Sequence, residues 1–376
     1  MEQNIKDFVS KNYNALFELI AELCKIPAPS LHEERRAEFC KNWLEEVGAK
    51  GVYIDSAKNV VYPINCEGKK NILAIVAHTD TGFPDTEPMP YTDDGEKIHS
   101  PGVGDDTASL AVLMFLAKYI IENNLTSENG ILLVCNSAEE GLGNLKGTRQ
   151  LFKDYEGRIA KFVSYDSMTL KQMADRCVGS CRYIVTATTP GGHSYLKFGA
   201  PNAIHALAKI ITKIYDIPLP KDSKTTVNVG TISGGTSVNT IAQSAQMLCE
   251  YRSDSADAID MMKKEFAAIF ESVQTDEIKI DVEVVGERPC AKGVDEAELL
   301  KLRRELTEIV EGVTGEPVIY ESSSTDCNIP LSKGIPAITI GVYDGFGAHT
   351  REEWILKKSL VHGMEIAIKT ALKLGF

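Results

Sequence analysis

Short, mainly apolar runs constrain the fold of this chain more than any other feature. They lie at 71–77, 131–135, 161–165 and 336–342. Amphipathic segments with helical spacing, such as 107–121, lie between them. Strands that are apolar on both faces belong in a parallel sheet that is covered by helices on both sides. The pattern therefore predicts an α/β fold with a mostly parallel central sheet flanked by helices.

The middle of the chain has a different pattern. Between about residues 179 and 289, strands alternate polar and apolar residues, and two helical stretches fall among them in the order βαββαβ. That order is typical of the ferredoxin-like α+β sandwich. We therefore predict a first domain in two parts, residues 1–178 and 290–376, with an inserted α+β domain at 179–289.

Composition excludes several classes of function. The chain carries 40 Lys and Arg against 53 Asp and Glu, and because it has no basic cluster we expect no nucleic-acid partner. The apolar stretches are too short to span a bilayer, and the first residues lack the pattern of a signal peptide. Nine scattered cysteines, an odd number, are typical of reduced thiols rather than a disulfide framework. We therefore expect a cytoplasmic protein that does not bind membranes.

Side chains of the kind that bind metals follow the predicted strands at the points where those strands end. They are His78, Asp80, Glu139, Glu140, Asp166 and His349, and Asp105 and Asp106 precede the helix at 107–121. Ligands of open α/β sheets bind beyond the carboxyl ends of the strands, so these side chains should converge on one crevice. Their carboxylates would repel one another unless cations offset the charge. Nitrogen and oxygen donors without thiolates predict two divalent ions, zinc by preference, with cobalt or manganese as substitutes.

The motifs resemble those of a known enzyme family. "AHTDT", "GVGDD", "NSAEEGLG", "SYDS", "GGHS" and "GAHTREEW" occur in the order and approximate spacing of the dizinc metallopeptidase family that includes peptidase T, glutamate carboxypeptidase and aminoacylase. The resemblance extends over nearly the whole chain and is closest to the peptidase T-like members. It implies that the inserted domain is a lid through which a homodimer forms.

The resemblance implies a role for each metal-binding residue. Asp105 would bridge two zinc ions. His78 and Asp166 would complete one site. Glu140 and His349 would complete the other. The peptide bond that follows Asp105 would be cis, as is usual in the family.

The resemblance also implies catalytic residues near the metal ions. Glu139 would be the general base, which takes a proton from water and passes it to the leaving amine. Asp80 would hydrogen-bond the imidazole of His78 and fix its tautomer. Asp326 occupies a position where the family usually has an Asp near the site, and no role is assigned to it.

The inserted domain contributes three further candidates through the resemblance. His193 would stabilise the oxyanion, often from the partner subunit. Arg252 would bind a substrate carboxylate. Asn239 would donate or accept a hydrogen bond with the substrate. From the sequence around them, the three could equally be an exposed loop histidine, a surface arginine and a structural turn asparagine.

Asp166 favours an aminopeptidase among the activities of the family. The family tends to have Asp there in aminopeptidases and dipeptidases, and Glu in carboxypeptidases and deacylases. Together with "HTDT", this predicts a tripeptidase-like or dipeptidase-like aminopeptidase that acts on short peptides. An N-acyl amino acid deacylase or a carboxypeptidase is the alternative, because His193 and a dimer-type lid also occur in the deacylases of the family. In addition, the segment after "HTDT" departs from peptidase T. A third possibility is a catalytically inactive metal-binding regulatory protein, although such proteins usually lack a ligand or the base.

Overall fold

The computed structural model describes residues 2–376. Its helices are α1 (Glu2–Cys24), α2 (Glu34–Glu46), α3 (Ser109–Glu122), α4 (Lys146–Asp154), α5 (Ala203–Tyr215), α6 (Ala256–Val273), α7 (Glu296–Thr314), α8 (Asn328–Ser332) and α9 (Ser359–Gly375). Its strands are β1 (Tyr53–Ile54), β2 (Val60–Ile64), β3 (Ile72–His78), β4 (Thr92–Asp93), β5 (Lys97–His99), β6 (Gly130–Asn136), β7 (Ile159–Ser164), β8 (Gln172–Cys177), β9 (Gly179–Thr188), β10 (Gly192–His193), β11 (Thr225–Gly234), β12 (Thr240–Ile241), β13 (Ser244–Ser253), β14 (Lys279–Arg288), β15 (Ile319–Ser323), β16 (Ala337–Ile340), β17 (Gly345–Phe346) and β18 (Trp354–Leu356).

The chain divides into two compact units. One comprises Met1–Cys177 with Lys292–Phe376, and the other comprises Val178–Ala291. We call them the first unit and the second unit.

The first unit is built on an eight-stranded sheet with the order β1-β2-β6-β3-β7-β16-β8-β15. The pairs of β3 with β6 and β7, of β7 with β16, and of β8 with β15 are parallel. The remaining three pairs are antiparallel. Every residue of β3 and β6 is buried, as expected of strands covered on both faces. The predicted α/β fold with a mainly parallel sheet is confirmed.

Helices α1, α3 and α9 pack together and carry much of the apolar core of the first unit. Leu16 of α1, Leu110 of α3 and Ile366 of α9 are completely buried. Burying an aliphatic side chain of this size stabilises the fold by roughly 1.5–3 kcal/mol. Buried Ile5 extends the apolar face of α1 into its first turns.

The second unit contains an antiparallel four-stranded sheet with the order β11-β13-β9-β14. Helices α5 and α6 follow β9 and β13 in the chain, so the main elements occur in the predicted βαββαβ order. Both helices bury their apolar side chains against one face of the sheet, where Tyr183, Met247 and Tyr251 meet Leu207 and Phe266.

A small antiparallel sheet in the first unit has the order β17-β18-β5-β4. It joins the segment before residue 100 to the segment after residue 350, because Trp354 pairs with His99 and Ile355 pairs with Ile98.

Within residues 2–376, no helix combines the length and the apolar character needed to cross a membrane. All nine cysteines are buried.

Candidate metal centre

The carboxyl ends of β3 and β6 lie side by side and define the position of the centre. His78 is the last residue of β3 and pairs with Asn136, the last residue of β6. Because the two strands run parallel, the loops that follow them leave the same edge of the sheet. The sheet therefore delivers His78 and the segment containing Glu139 and Glu140 to one place.

Side chains from several loops approach one another closely enough there to hold metal ions. Three groups have ligand atoms within 4.8 Å of one another. They are His78 with Asp105 and Asp166, Asp105 with Glu140 and His349, and His78 with Glu139 and Glu140. The first two groups share Asp105, so one carboxylate connects two potential metal sites.

Asp105 lies between two imidazoles. Its Oδ1 is 3.0 Å from Nε2 of His78, and its Oδ2 is 3.0 Å from Nε2 of His349. Burial would raise the pKa of Asp105, but the hydrogen bonds with His349 and His78 outweigh burial and hold that pKa well below its usual value. The predicted cis peptide bond between Asp105 and Asp106 is confirmed.

The neighbouring carboxyl groups destabilise one another as anions. Burial, followed by the charges of Asp105 and Glu139, raises the pKa of Glu140 to about 8. Burial and the same two neighbouring charges raise the pKa of Asp166 well above its usual value. A bound cation would remove this cost. The donor set of carboxylate oxygens and imidazole nitrogens therefore fits divalent zinc, cobalt or manganese.

The Asp80 carboxylate holds the loop that carries the two glutamates. Its Oδ1 accepts the backbone N–H of Glu139 at 3.0 Å, and its Oδ2 accepts the backbone N–H of Glu140 at 2.9 Å. Ser30 donates its hydroxyl to Oδ2 at 2.6 Å. Nδ1 of His78 lies 2.9 Å from the Asp80 carbonyl oxygen and 3.4 Å from Oδ1. Asp80 therefore contacts the imidazole and also anchors the adjoining loop.

Two further side chains hold the start of the same loop, and sequence reasoning missed both. Asn59 accepts the backbone N–H of Ser137 at 2.9 Å through Oδ1 and donates to the carbonyl of Gly147 at 2.8 Å. Glu33 accepts the backbone N–H of Ala138 at 3.1 Å. Four consecutive backbone N–H groups, at 137–140, thus donate to side chains. No motif marks Asn59 or Glu33, because their partners in this loop are backbone groups.

Glu353 is a buried carboxylate that the sequence reasoning also missed. It accepts the backbone N–H groups of Gly102 at 2.6 Å, of Gly104 at 2.8 Å and of Asp105 at 2.8 Å. Burial raises its pKa to about 7, although these hydrogen bonds act in the opposite direction. Glu353 lies four residues after His349, so it ties the Asp105 loop to the His349 segment.

The remaining predicted residues belong to the second unit. His193 pairs with Thr240 in the short ladder of β10 and β12 and is exposed. Next to it, the backbone N–H of Ser194 donates to the carbonyl of Asn239 at 2.9 Å. Arg252 donates to both carboxylate oxygens of Glu250, at 2.8 Å and 3.2 Å. The ladder thus brings His193 and Asn239 together, while a carboxylate of its own strand holds Arg252.

A parallel sheet whose strand ends present two groups of nitrogen and oxygen ligands around a shared carboxylate is the architecture of a metal-dependent hydrolase. The chain belongs to the peptidase family M20/M25/M40, whose model matches residues 74–373. It is therefore a metal-dependent peptide hydrolase, and the resemblance seen in the motifs is confirmed.

Known relatives cover most of the chain at low identity. The crystal structure of aminopeptidase PepT from Bacillus cereus has a TM-score of 0.76 and 20% identity, and the match covers 96% of this chain and 99% of that one. A succinyl-diaminopimelate desuccinylase of Corynebacterium glutamicum is 24% identical over 89% of this chain and 90% of its own length. A peptidase M20 domain-containing protein of Schizosaccharomyces pombe is 26% identical, over 61% of this chain and 58% of its own length.

Proposed function

We propose that this chain is an aminopeptidase that releases the N-terminal residue from short peptides with the help of two zinc ions. The observation that carries the proposal is the position of Asp105, whose two oxygens face His78 and His349, with Glu139 in an adjoining group. The fold shared with aminopeptidase PepT and the presence of Asp rather than Glu at position 166 support the choice of substrate.

The proposed ligand set follows the two groups that share Asp105. His78 and Asp166 would hold one ion together with Asp105. Glu140 and His349 would hold the other. Ions bound there would supply Lewis-acid activation of the scissile carbonyl and of the attacking water.

Glu139 is the proposed general base. Its side chain is buried and lies in a group with His78 and Glu140. It would take a proton from the water as the new C–O bond forms, and would give that proton to the amine nitrogen as the C–N bond breaks. Such a transfer typically contributes about 10²- to 10⁴-fold in rate. Since Asp80 holds the backbone of Glu139, it would keep this carboxylate oriented.

Residues of the second unit complete the proposal. His193 would donate a hydrogen bond to the oxyanion, from its own subunit or from a partner subunit. Arg252 would bind the C-terminal carboxylate of the peptide, because its guanidinium can make two parallel hydrogen bonds and already does so with Glu250. Asn239 would hydrogen-bond the peptide backbone.

An N-acyl amino acid deacylase is the second candidate. The observation in its favour is the similarity to a succinyl-diaminopimelate desuccinylase over 89% of this chain. That relative acts on an acylated amine, whereas an aminopeptidase binds a free ammonium group.

A matched panel of substrates tests both candidates. The zinc-loaded protein is incubated with a free tripeptide, the same tripeptide acetylated at its N-terminus, the same tripeptide amidated at its C-terminus, and the N-acetylated and N-succinylated first amino acid. Products are identified by mass. Release of the first residue from the free tripeptide alone would support the aminopeptidase. Cleavage restricted to acylated substrates would support the deacylase, and release of the last residue would support a carboxypeptidase.

We also infer that the protein forms a homodimer through the second unit. Strand β11 is an edge of its sheet and is mostly exposed, and Tyr195, Phe198 and Val238 expose most of their apolar side chains. Exposed apolar side chains and open strand edges are features of association surfaces. Sedimentation equilibrium of the full chain tests this, and a monomer at micromolar concentration would contradict it.

A further inference from the structure

We propose that Asp326 is a positioning residue that holds the loop of Glu139 and Glu140 in its working conformation. The inference rests on the proposed function, in which Glu139 is the base and Glu140 a ligand. Asp326 is completely buried and comes from a segment far away in the sequence. Its Oδ2 accepts a hydrogen bond from the side-chain amide of Asn136, and its Oδ1 accepts one from the hydroxyl of Thr148.

These two partners flank the loop. Asn136 is the last residue of β6, and Thr148 lies in the first turn of α4, so residues 137–147 lie between them. Asp326 therefore joins the two flanks of the loop from outside. The backbone N–H of Gly147 donates to the carbonyl of Ser137 at 3.1 Å. This hydrogen bond joins the first and last residues of the loop, next to the two residues that Asp326 contacts.

We call Asp326, with its partners Asn136 and Thr148, the clamp of this loop. The loop needs contacts of this kind because its backbone is unusual. Ala138, Asn144 and Leu145 have φ angles of 54°, 56° and 59°, in the left-handed region that residues other than glycine rarely adopt. Such a conformation is costly, and only surrounding contacts keep the residue there. Ala138 directly precedes Glu139, so its conformation sets the direction in which the proposed base leaves the chain.

A carboxylate suits this clamp better than a neutral side chain does. The amide nitrogen of Asn136 can only donate, and the hydroxyl of Thr148 donates here, so a group with two acceptor oxygens satisfies both. Burial, followed by the charge of Glu139, raises the pKa of Asp326 to about 7. A negative charge so close to the other carboxylates is costly, and the two hydrogen bonds offset part of this cost.

The test compares three variants at the clamp with a matched control. Asp326→Ala removes both hydrogen bonds. Asp326→Asn keeps the contact with Asn136 and lets the Thr148 hydroxyl turn to accept. Thr148→Val removes one hydroxyl without changing the side-chain volume, so it serves if Asp326→Ala does not fold. Thr314→Val is the control, because it removes a half-buried hydroxyl of α7, which bonds the carbonyl of Val310 at 2.8 Å.

Two readouts are taken on the full chain. The first is hydrogen–deuterium exchange of the amides at 137–140, resolved by mass spectrometry with zinc alone as the added ligand. The second is kcat and KM on whichever panel substrate the unaltered protein cleaves. We expect Asp326→Ala to accelerate exchange at 137–140 at least about tenfold and to lower kcat about 100-fold, with KM changed less than about threefold, because small displacements of a catalytic group have effects of this size. Asp326→Asn should recover most of both losses, and Thr148→Val should be intermediate.

The exchange readout separates this inference from the proposed function. If the unaltered protein cleaves no substrate, the proposed function fails, and exchange at 137–140 still decides the role of Asp326. Exchange and kcat that stay unchanged in Asp326→Ala and Thr148→Val would overturn the inference. Changes no larger than those in Thr314→Val, or a rise in KM alone, would also overturn it.

Discussion

The carboxylate of Glu353 accepts the backbone N–H of Asp105 over 2.8 Å, although the two residues are 248 positions apart in the sequence. Glu353 is completely buried, and its other hydrogen bonds here come from the backbone of Gly102 and Gly104. A carboxylate that receives three backbone N–H groups fixes the path of the chain into the proposed bridging ligand. The position of Asp105 thus depends on a residue outside the proposed ligand groups.

Replacing Glu353 should therefore weaken metal binding. In Glu353→Gln, an NH₂ group replaces one of the two carboxylate oxygens. This group cannot accept a hydrogen bond from a backbone N–H, so at least one of the three hydrogen bonds would be lost. We expect zinc affinity to fall by about 10- to 100-fold, as is typical when a residue that supports a metal ligand is changed. Competition with a chromophoric chelator measures it.

The exposed neighbour Glu352 provides the control for that experiment, because Glu352→Gln removes the same charge from the same segment. Zinc affinity should be unchanged in this variant. Equal losses in the two variants would mean that the charge of the segment, rather than the hydrogen bonds of Glu353, determines the affinity.

The adjacent residues Glu139 and Glu140 should respond differently to the same substitution. Glu139→Gln removes the proposed base, so kcat should fall by about 10²- to 10⁴-fold while the protein keeps its zinc. Glu140→Gln removes a proposed ligand, so it should lose zinc as well as activity. Metal content measured by mass spectrometry, together with kcat, distinguishes the two roles. Loss of zinc in Glu139→Gln would show that Glu139 is a ligand instead.

Removing the metal should destabilise the first unit. Zinc that is present at about 100 times its dissociation constant stabilises a folded protein by about 2.7 kcal/mol, so a chelator should lower the melting temperature.

Asp166→Asn should have two opposite effects. It removes a carboxyl group whose ionised form burial, Glu139 and Asp105 disfavour, and with it the cost of shifting that pKa on folding, so the metal-free variant should melt at a higher temperature than the metal-free parent. It should also gain less from added zinc.

Both effects can be followed by calorimetry with and without zinc. A metal-free Asp166→Asn variant that melts at a lower temperature than the parent would contradict the view that repulsion among the carboxylates is what the metal relieves.

Gly82 lies against two proposed ligands of the same site. A methyl group there would be 3.2 Å from Oε1 of Glu140 and 3.4 Å from Nδ1 of His349. The 3.2 Å distance is tighter than an ordinary contact and the 3.4 Å distance is at the limit of one, so Gly82→Ala should displace the Glu140 side chain. We expect zinc affinity to fall roughly tenfold, at the lower end of the effect of disturbing a ligand's surroundings. Gly312→Ala is the control, since a methyl group at that position in α7 meets nothing within 4 Å. Equal zinc affinity in the two variants would argue against crowding at Gly82.

The main strands of the first unit were predictable because their burial leaves a clear pattern. A strand covered on both faces needs apolar residues at successive positions, and the runs at 71–77 and 131–135 correspond to β3 and β6. Alternation of polar and apolar residues predicted the strands of the second unit in the same way. The order in which strands lie side by side was not predictable, because periodicity carries no information about which strand is the neighbour.

The sequence by itself determined the kind of chemistry this protein performs, since His78, Glu140 and Asp166 follow apolar runs whose ends must meet at one edge of a parallel sheet. Only the tertiary structure decided which residues hold those groups in place. Asp326 makes its hydrogen bonds to side chains of distant segments. Glu353 and Asn59 make theirs to backbone groups of distant segments. Every residue has a backbone amide and carbonyl, so no residue type marks such a partner, and the contact exists only once the chain has folded.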